Sequence, residues 1–205
     1  MQLLLRRADL HRHEKNWQAA LLDYEKVATT QPENQRMLLG RAQLYLDQNS
    51  YGAAAEWSAR LLELHADHAN ALVIQARAQS GLGNFRSAVR FYDRAIKNID
   101  NPAPEHYLEH ARAILQIPDE NAGSEAVSKA FAEAIAIIDS GAQRLDNPVS
   151  LHSFALEQEL QSAKPTAALK RIDRLVSLNL RLFSWHLKKA ELLISLNRLN
   201  EACLA

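Results

Sequence analysis

The chain of 205 residues is poor in the residues that punctuate or staple small folds: it has one cysteine, six glycines and six prolines. The single thiol, Cys203, excludes an internal disulfide framework and a site built from several thiolates. So few glycines and prolines leave too little turn chemistry for an all-β protein with its many tight reversals, and suit helices instead. There is no excess of either charge, with 24 Lys and Arg against 24 Asp and Glu. No overall field therefore draws the chain to nucleic acid or to an anionic membrane, and no nucleic-acid partner is expected. No apolar run reaches the roughly 20 residues that span a bilayer. Membrane insertion is not expected within this stretch, and a soluble protein of cytoplasm or periplasm is. The opening Met-Gln-Leu-Leu-Leu-Arg-Arg has too short an apolar stretch, with its basic residues on the wrong side, for a signal peptide. Leu3 already lies inside a repeat and Ala205 inside a helical pattern, so both ends read as cut and an upstream signal as trimmed.

What the chain does have is periodicity. Trp17, Tyr51 and Phe85 are equally spaced, and each is followed three residues later by alanine, at Ala20, Ala54 and Ala88. In the same register Leu4, Leu38 and Leu72 precede Ala8, Ala42 and Ala76 by four residues, which places each pair on one helix face. The second half of each repeat continues with Tyr24, Ser58 and Tyr92, then Val27, Leu61 and Ala95, again one buried face. Between the halves lie Glu14-Lys15-Asn16, Gln48-Asn49-Ser50 and Leu82-Gly83-Asn84, which are turn and cap residues.

This pattern resembles the tetratricopeptide (TPR) repeat, in a bacterial-type protein, whose period is about 34 residues. Gly83-Asn84-Phe85, Ala88, Tyr92 and Ala95 match its motif nearly completely. The period implies an all-α, right-handed solenoid of helix-turn-helix repeats, each leaning on its neighbours. Arg7, Arg41 and Gln75 depart from the leucine usual at their position, and Ala66 and Asp100 from the usual proline. The chain reads as a single TPR domain over 1–205, with repeats at about 1–34, 35–68, 69–102, 104–148 and 149–182 and an incomplete one at 183–205.

The fourth repeat breaks the register. Its second half is displaced by roughly 11 residues, about three helical turns, which keeps the apolar face in phase. Tyr107 and Ala111 fit its first helix, and Phe131, Ala134, Ile138 and Gly141 its second. Ile117–Gly123 reads as a loop, and Ser124 as an N-cap with Glu125 just inside the helix. Val127, Phe131, Ile135, Ile138, Ala142 and Leu145 then form one apolar stripe, predicting an extended helix over 124–145. Ser140-Gly141 marks a place for a bend. In the fifth repeat Ala168, Ile172 and Leu175 follow Lys164-Pro165, while Leu151 and Ala155 fit one residue out of step. Ala190, Leu199 and Ala202 fit the sixth, whose apolar edge is left for further chain or for a partner to cover.

Catalytic signatures are scarce, and no catalytic residue, cofactor or metal site is assigned. His106-Tyr-Leu-Glu109-His110 spells the H-x-x-E-H spacing of some zinc peptidases, which sets a zinc-dependent hydrolase as a remote alternative. The motif lies on the first helix of a repeat, with no separate catalytic domain around it. His65 and His68, His11 and His13 sit at helix ends or repeat junctions. Glu157 and Glu159 fall on different helix faces.

In TPR arrays the first helices line a concave face, where partner peptides usually bind. By that resemblance the groove positions are Leu5, Leu39, Val73 and Leu108, with Asp9, Gln43, Arg77 and Arg112 four residues on. They form an apolar ladder beside a polar one graded from acidic to basic. Aliphatic anchors would give affinity and charges register to a protein or peptide partner; the other reading is that the leucines only pack on neighbouring helices. One TPR subclass grips acidic chaperone tails through a lysine–asparagine clamp. Its positions here hold Leu5, Asp9, Gly40, Asn70 and Ile74, so that clamp is absent. The expected function is a protein–protein interaction scaffold. The alternative is self-association into a homo-oligomer through helix 124–145 or the C-terminal edge.

Overall fold

The computed structural model describes residues 1–118, 124–178 and 182–203, without the side chains of 124–126 and 182. Twelve helices follow one another among these residues: α1 Gln2–His13, α2 Trp17–Ala28, α3 Gln35–Asp47, α4 Tyr51–Leu64, α5 Ala69–Gly81, α6 Phe85–Asn98, α7 Pro104–Leu115, α8 Ser124–Arg144, α9 Val149–Gln161, α10 Pro165–Ser177, α11 Leu182–Ser195 and α12 Leu199–Ala202. The chain divides into two compact units, Met1–Ala130 and Phe131–Ala205.

The turns explain why helices pair. Lys15, Asn49, Gly83, Ala163 and Asn197 all have positive φ, between 51° and 79°. The residue after each donates its backbone N–H back to the end of the preceding helix: Asn16 to His11, Ser50 to Tyr45, Asn84 to Gln79, Lys164 to Glu159 and Arg198 to Leu193, at 2.8–2.9 Å. That bond across a left-handed residue is the Schellman closure of a helix end, which satisfies a carbonyl the helix leaves unpaired. The second helix then begins at Trp17, Tyr51, Phe85, Pro165 or Leu199. Asn34 and His68 cap α3 and α5, accepting the N–H of Met37 and of Ala71.

In the N-terminal unit the repeated small residues sit at zero exposure: Ala8, Ala42 and Ala76 in the first helices, Ala20, Ala54 and Ala88 in the second. The absence of a larger side chain there brings each pair into close contact, and Tyr24, Leu61 and Tyr92 fill the seams. α5 contacts α3, α4, α6 and α7, and its residues Ala71–Ala76 are all buried.

Arg7, Arg41 and Gln75, which stand where the TPR pattern has leucine, each find a partner on an adjacent helix. Arg7 forms a two-pronged ion pair with Asp23, at 2.6 and 2.7 Å. The Asp23 side chain is 4% exposed, and its carboxyl is held below the usual range chiefly by that hydrogen bond. Arg41 lies 3.8 Å over the Trp57 ring, a cation–π contact. Buried Gln75 accepts the hydroxyl of Ser58, where the neighbouring repeats carry tyrosine. The departures substitute polar partners for a leucine seam.

α8 is a single helix of 21 residues that passes Ser140-Gly141 without interruption. Phe131, Ala134, Ile138 and Ala142 are buried, whereas Val127 is 62% exposed. The apolar stripe read in the sequence is thus buried only from Phe131 onward; Val127 falls in the added length of the helix, where the right spacing does not by itself provide a neighbour. Residues 119–123 of the expected loop, and the side chain of the expected cap Ser124, lie outside the described residues.

In the C-terminal unit α10 packs on α9 and α11. Leu151, Ala155, Leu156, Ala168, Ile172 and Leu175 make its core. Arg171 of α10, with a side chain 8% exposed, binds Glu159 of α9 at 2.8 Å and Asp139 of α8 at 2.6 Å. Burial works against the guanidinium charge, but the hydrogen bonds to Glu159 and Asp139 outweigh it and hold the arginine protonated.

Candidate functional site

The first helices α1, α3, α5 and α7 of the N-terminal unit enclose a cavity of about 380 Å³. Five of the eight expected groove residues line it: Asp9, Leu39, Gln43, Val73 and Arg77. The other three lie elsewhere. Leu5 is 4% exposed and packed in the core. Leu108 is half-buried on α7, and Arg112 is on an exposed face of α7.

The cavity also gathers residues outside that set. Arg36 and Asn70 stand three residues before Leu39 and Val73, and Arg12 and His13 three and four after Asp9. The signal was available: a helix face extends by three or four residues in both directions, so an i, i+4 pair implies its neighbours. Gly40 and Ile74 complete the floor, and His106 enters from α7.

The polar groups are tied together across helices. Asp9 accepts the Tyr24 hydroxyl at 2.8 Å and binds Arg36 at 2.6 Å, linking α1, α2 and α3. Arg12 pairs with Asp47, which also accepts from Gln43 at 2.8 Å. Arg77 binds Glu109 of α7 at 2.9 Å, and the Tyr92 hydroxyl approaches the same oxygen at 3.3 Å. Burial, and then the facing carboxylate, push both tyrosine hydroxyls above their ordinary pKa. Pairs this exposed stabilise a protein by only about 0–1 kcal/mol each, so their main effect is to place the groups. The acidic-to-basic gradient read along the sequence is therefore cancelled locally: Asp9 is neutralised by Arg36, and Arg77 by Glu109.

The H-x-x-E-H residues do not meet. His106 lines the cavity, and its Nδ1 accepts the Ala103 N–H at 3.1 Å. Glu109 is engaged by Arg77 and Tyr92. His110 is 1% exposed and stacks on Tyr92 with ring centroids 5.9 Å apart. Among the described residues no group of three or more His, Cys, Asp or Glu is placed to hold a metal ion. Among them, too, no helix is long and apolar enough to cross a membrane.

No protein-family model matches the chain, and no curated protein matches it. Solved structures do. A tetratricopeptide repeat protein from Parabacteroides merdae aligns over 99% of this chain and 75% of its own, with a TM-score of 0.63 and 17% identity. The MamA protein gives a TM-score of 0.68 over 86% of this chain and 90% of its own, at 16% identity. Yeast Tom70 gives 0.63 over 96% of this chain and 40% of its own, at 14% identity. At such identities the likeness is one of fold: the chain has the all-α TPR solenoid fold.

Proposed function

We propose that this protein is a non-catalytic scaffold that binds a segment of a partner protein in the cavity of its N-terminal unit. The observation that carries the reading is the cavity itself. Its floor offers Leu39, Val73 and Ile74 as aliphatic contacts, and its polar groups are already positioned by hydrogen bonds across helices. Preorganised side chains lose little entropy when a ligand arrives, which favours binding. Asp9, Gln43 and Arg77 would fix the register of the bound segment. Leu108 and Arg112 would contribute from α7 beside the cavity, whereas Leu5, packed in the core, would support the face from beneath.

The test is a pull-down with the full chain, followed by titration of the captured partner. The double variant Leu39→Asp with Arg77→Glu should weaken binding by at least about tenfold, the loss typical of one or two interface hot spots. Unchanged affinity in a folded double variant rejects the groove.

A second reading, self-association, draws support from α11. Phe183, Leu187 and Ile194 are 84%, 51% and 56% exposed, and their spacing of four and then seven puts them on one face. Sedimentation velocity over a concentration series decides: a strict monomer at the highest concentration removes this reading.

A further inference from the structure

The C-terminal unit has a cleft of its own. Between α9 and α11 it encloses about 520 Å³, more than the N-terminal cavity. Its floor is apolar, formed by Leu156 and Ile172, and its walls carry Leu160 and Leu192. Leu160 is 45% exposed, so an aliphatic wall residue faces solvent in a concave place.

The charges differ from those of the first cavity. There, three arginines face one carboxylate, and each arginine is already paired. Here, Glu157 comes from α9 and Glu191 from α11, with Lys188 as the single basic residue in the lining. The Lys188 ammonium lies 5.3 Å over the Trp185 ring, a contact that holds it toward the indole. Glu157 accepts an amide hydrogen bond from Gln161 at 3.2 Å and, among the described residues, makes no ion pair. Among the described residues Glu191 makes no ion pair. An incoming cation would gain an ion pair at either glutamate without breaking an existing one.

We propose that this cleft is a second binding site, for an aliphatic segment of a partner protein flanked by basic residues. Leucine-sized side chains would fill the space over Leu156 and Ile172, and a lysine or arginine on each flank would meet Glu157 and Glu191. The proposal stands apart from the reading of the N-terminal cavity and survives if that one fails.

The test uses the full chain and two labelled synthetic peptides of identical leucine spacing, one flanked by lysines and one by glutamates, followed by fluorescence anisotropy. The lysine peptide should bind, and the glutamate peptide at least about tenfold more weakly. Glu157→Lys with Glu191→Lys should invert that preference. Leu160→Asp should abolish binding of the lysine peptide, with the milder Leu160→Ser weakening it in the same direction. Circular dichroism melts verify that each variant is folded. Equal binding of the two peptides, no binding of the lysine peptide up to about 1 mM, or a preference that survives the charge reversal overturns the proposal. Self-association abolished by Leu160→Asp in place of peptide binding assigns the cleft to a second copy of the chain, and also overturns it.

Discussion

Tyr24 occupies the space that any side chain at Gly40 would need. A Cβ built on Gly40 would lie 2.4 Å from the Tyr24 hydroxyl oxygen and 2.6–2.7 Å from its ring carbons. The missing Cβ lets the tyrosine of α2 reach past α3 to Asp9, which in turn holds Arg36 at the edge of the cavity. A glycine buried mid-helix thus fixes the placement of two charged groups.

Gly40→Ala is expected to destabilise the protein by about 1–3 kcal/mol, the range for overpacking a filled site. It should do so even though alanine favours helix more than glycine by about 1 kcal/mol. Tyr24→Phe removes only the hydrogen bond to a charged acceptor and should cost about 1.5–3 kcal/mol. Urea titrations of both variants check this. A stability gain in Gly40→Ala would mean that α3 shifts freely, and would sink the account.

The buried Arg171–Glu159 pair of the C-terminal unit, with Asp139 at its more exposed edge, makes a sharper prediction. Arg171→Met leaves Glu159, 4% exposed, without its cation, and removal of one partner from a buried pair costs about 3–5 kcal/mol. Arg171→Met with Glu159→Leu should recover most of that loss, because no unpaired buried charge remains. A double variant no more stable than the single one would show that the pair is not the source of the loss.

Acid should weaken the fold first through two buried histidines. Burial lowers the pKa of His110, against the opposing pull of Asp93; for His152 burial comes first, then the charges of Arg171 and Arg174. Both histidines are therefore neutral in the folded chain at pH values where the unfolded chain binds protons. Stability is fully present above the ordinary histidine value of about 6.5 and falls as pH drops below it, by up to about 1.4 kcal/mol per pH unit for each residue. Asp23 acts in the same direction, but only in the lower window below about 4, because its folded value is depressed from the carboxylate range. Urea midpoints at pH 7.5 and 5.5 measure the effect. His110→Gln and His152→Gln should each flatten the dependence, and an undiminished slope in both would refute it.

Sequence legibility followed the range of the interactions. The aromatic series at 17, 51 and 85 and the alanines three residues later were readable because helix pairing is local and repeats at one interval. Arg7 was not: its partner Asp23 lies on the other helix of the pair, and only the three-dimensional pairing shows why a polar residue replaces leucine there. Arg41 and Trp57 stand at the same separation along the chain as Arg7 and Asp23, so the compensation has a regularity that a single example hides. In the cavity, the i, i+4 pairs led to Leu39, Gln43, Val73 and Arg77 and missed Arg36 and Arg12 one step along the same face. The charge gradient leaves out Arg36 and Glu109, which reach in from neighbouring positions and pair with Asp9 and Arg77.

The left-handed turn residues carry a consequence for how such a chain is inherited. Each of these helix pairs encodes its own stop and restart in a short stretch, Asn49-Ser50-Tyr51 for example, and takes neither from its neighbours. A duplicated repeat would arrive with its reversal already written, and only its outer faces would need to suit the adjoining pairs. Lengthening is easiest where no such reversal is cut, inside a helix and in whole turns. The added length of α8 is of that kind, carried inside one helix.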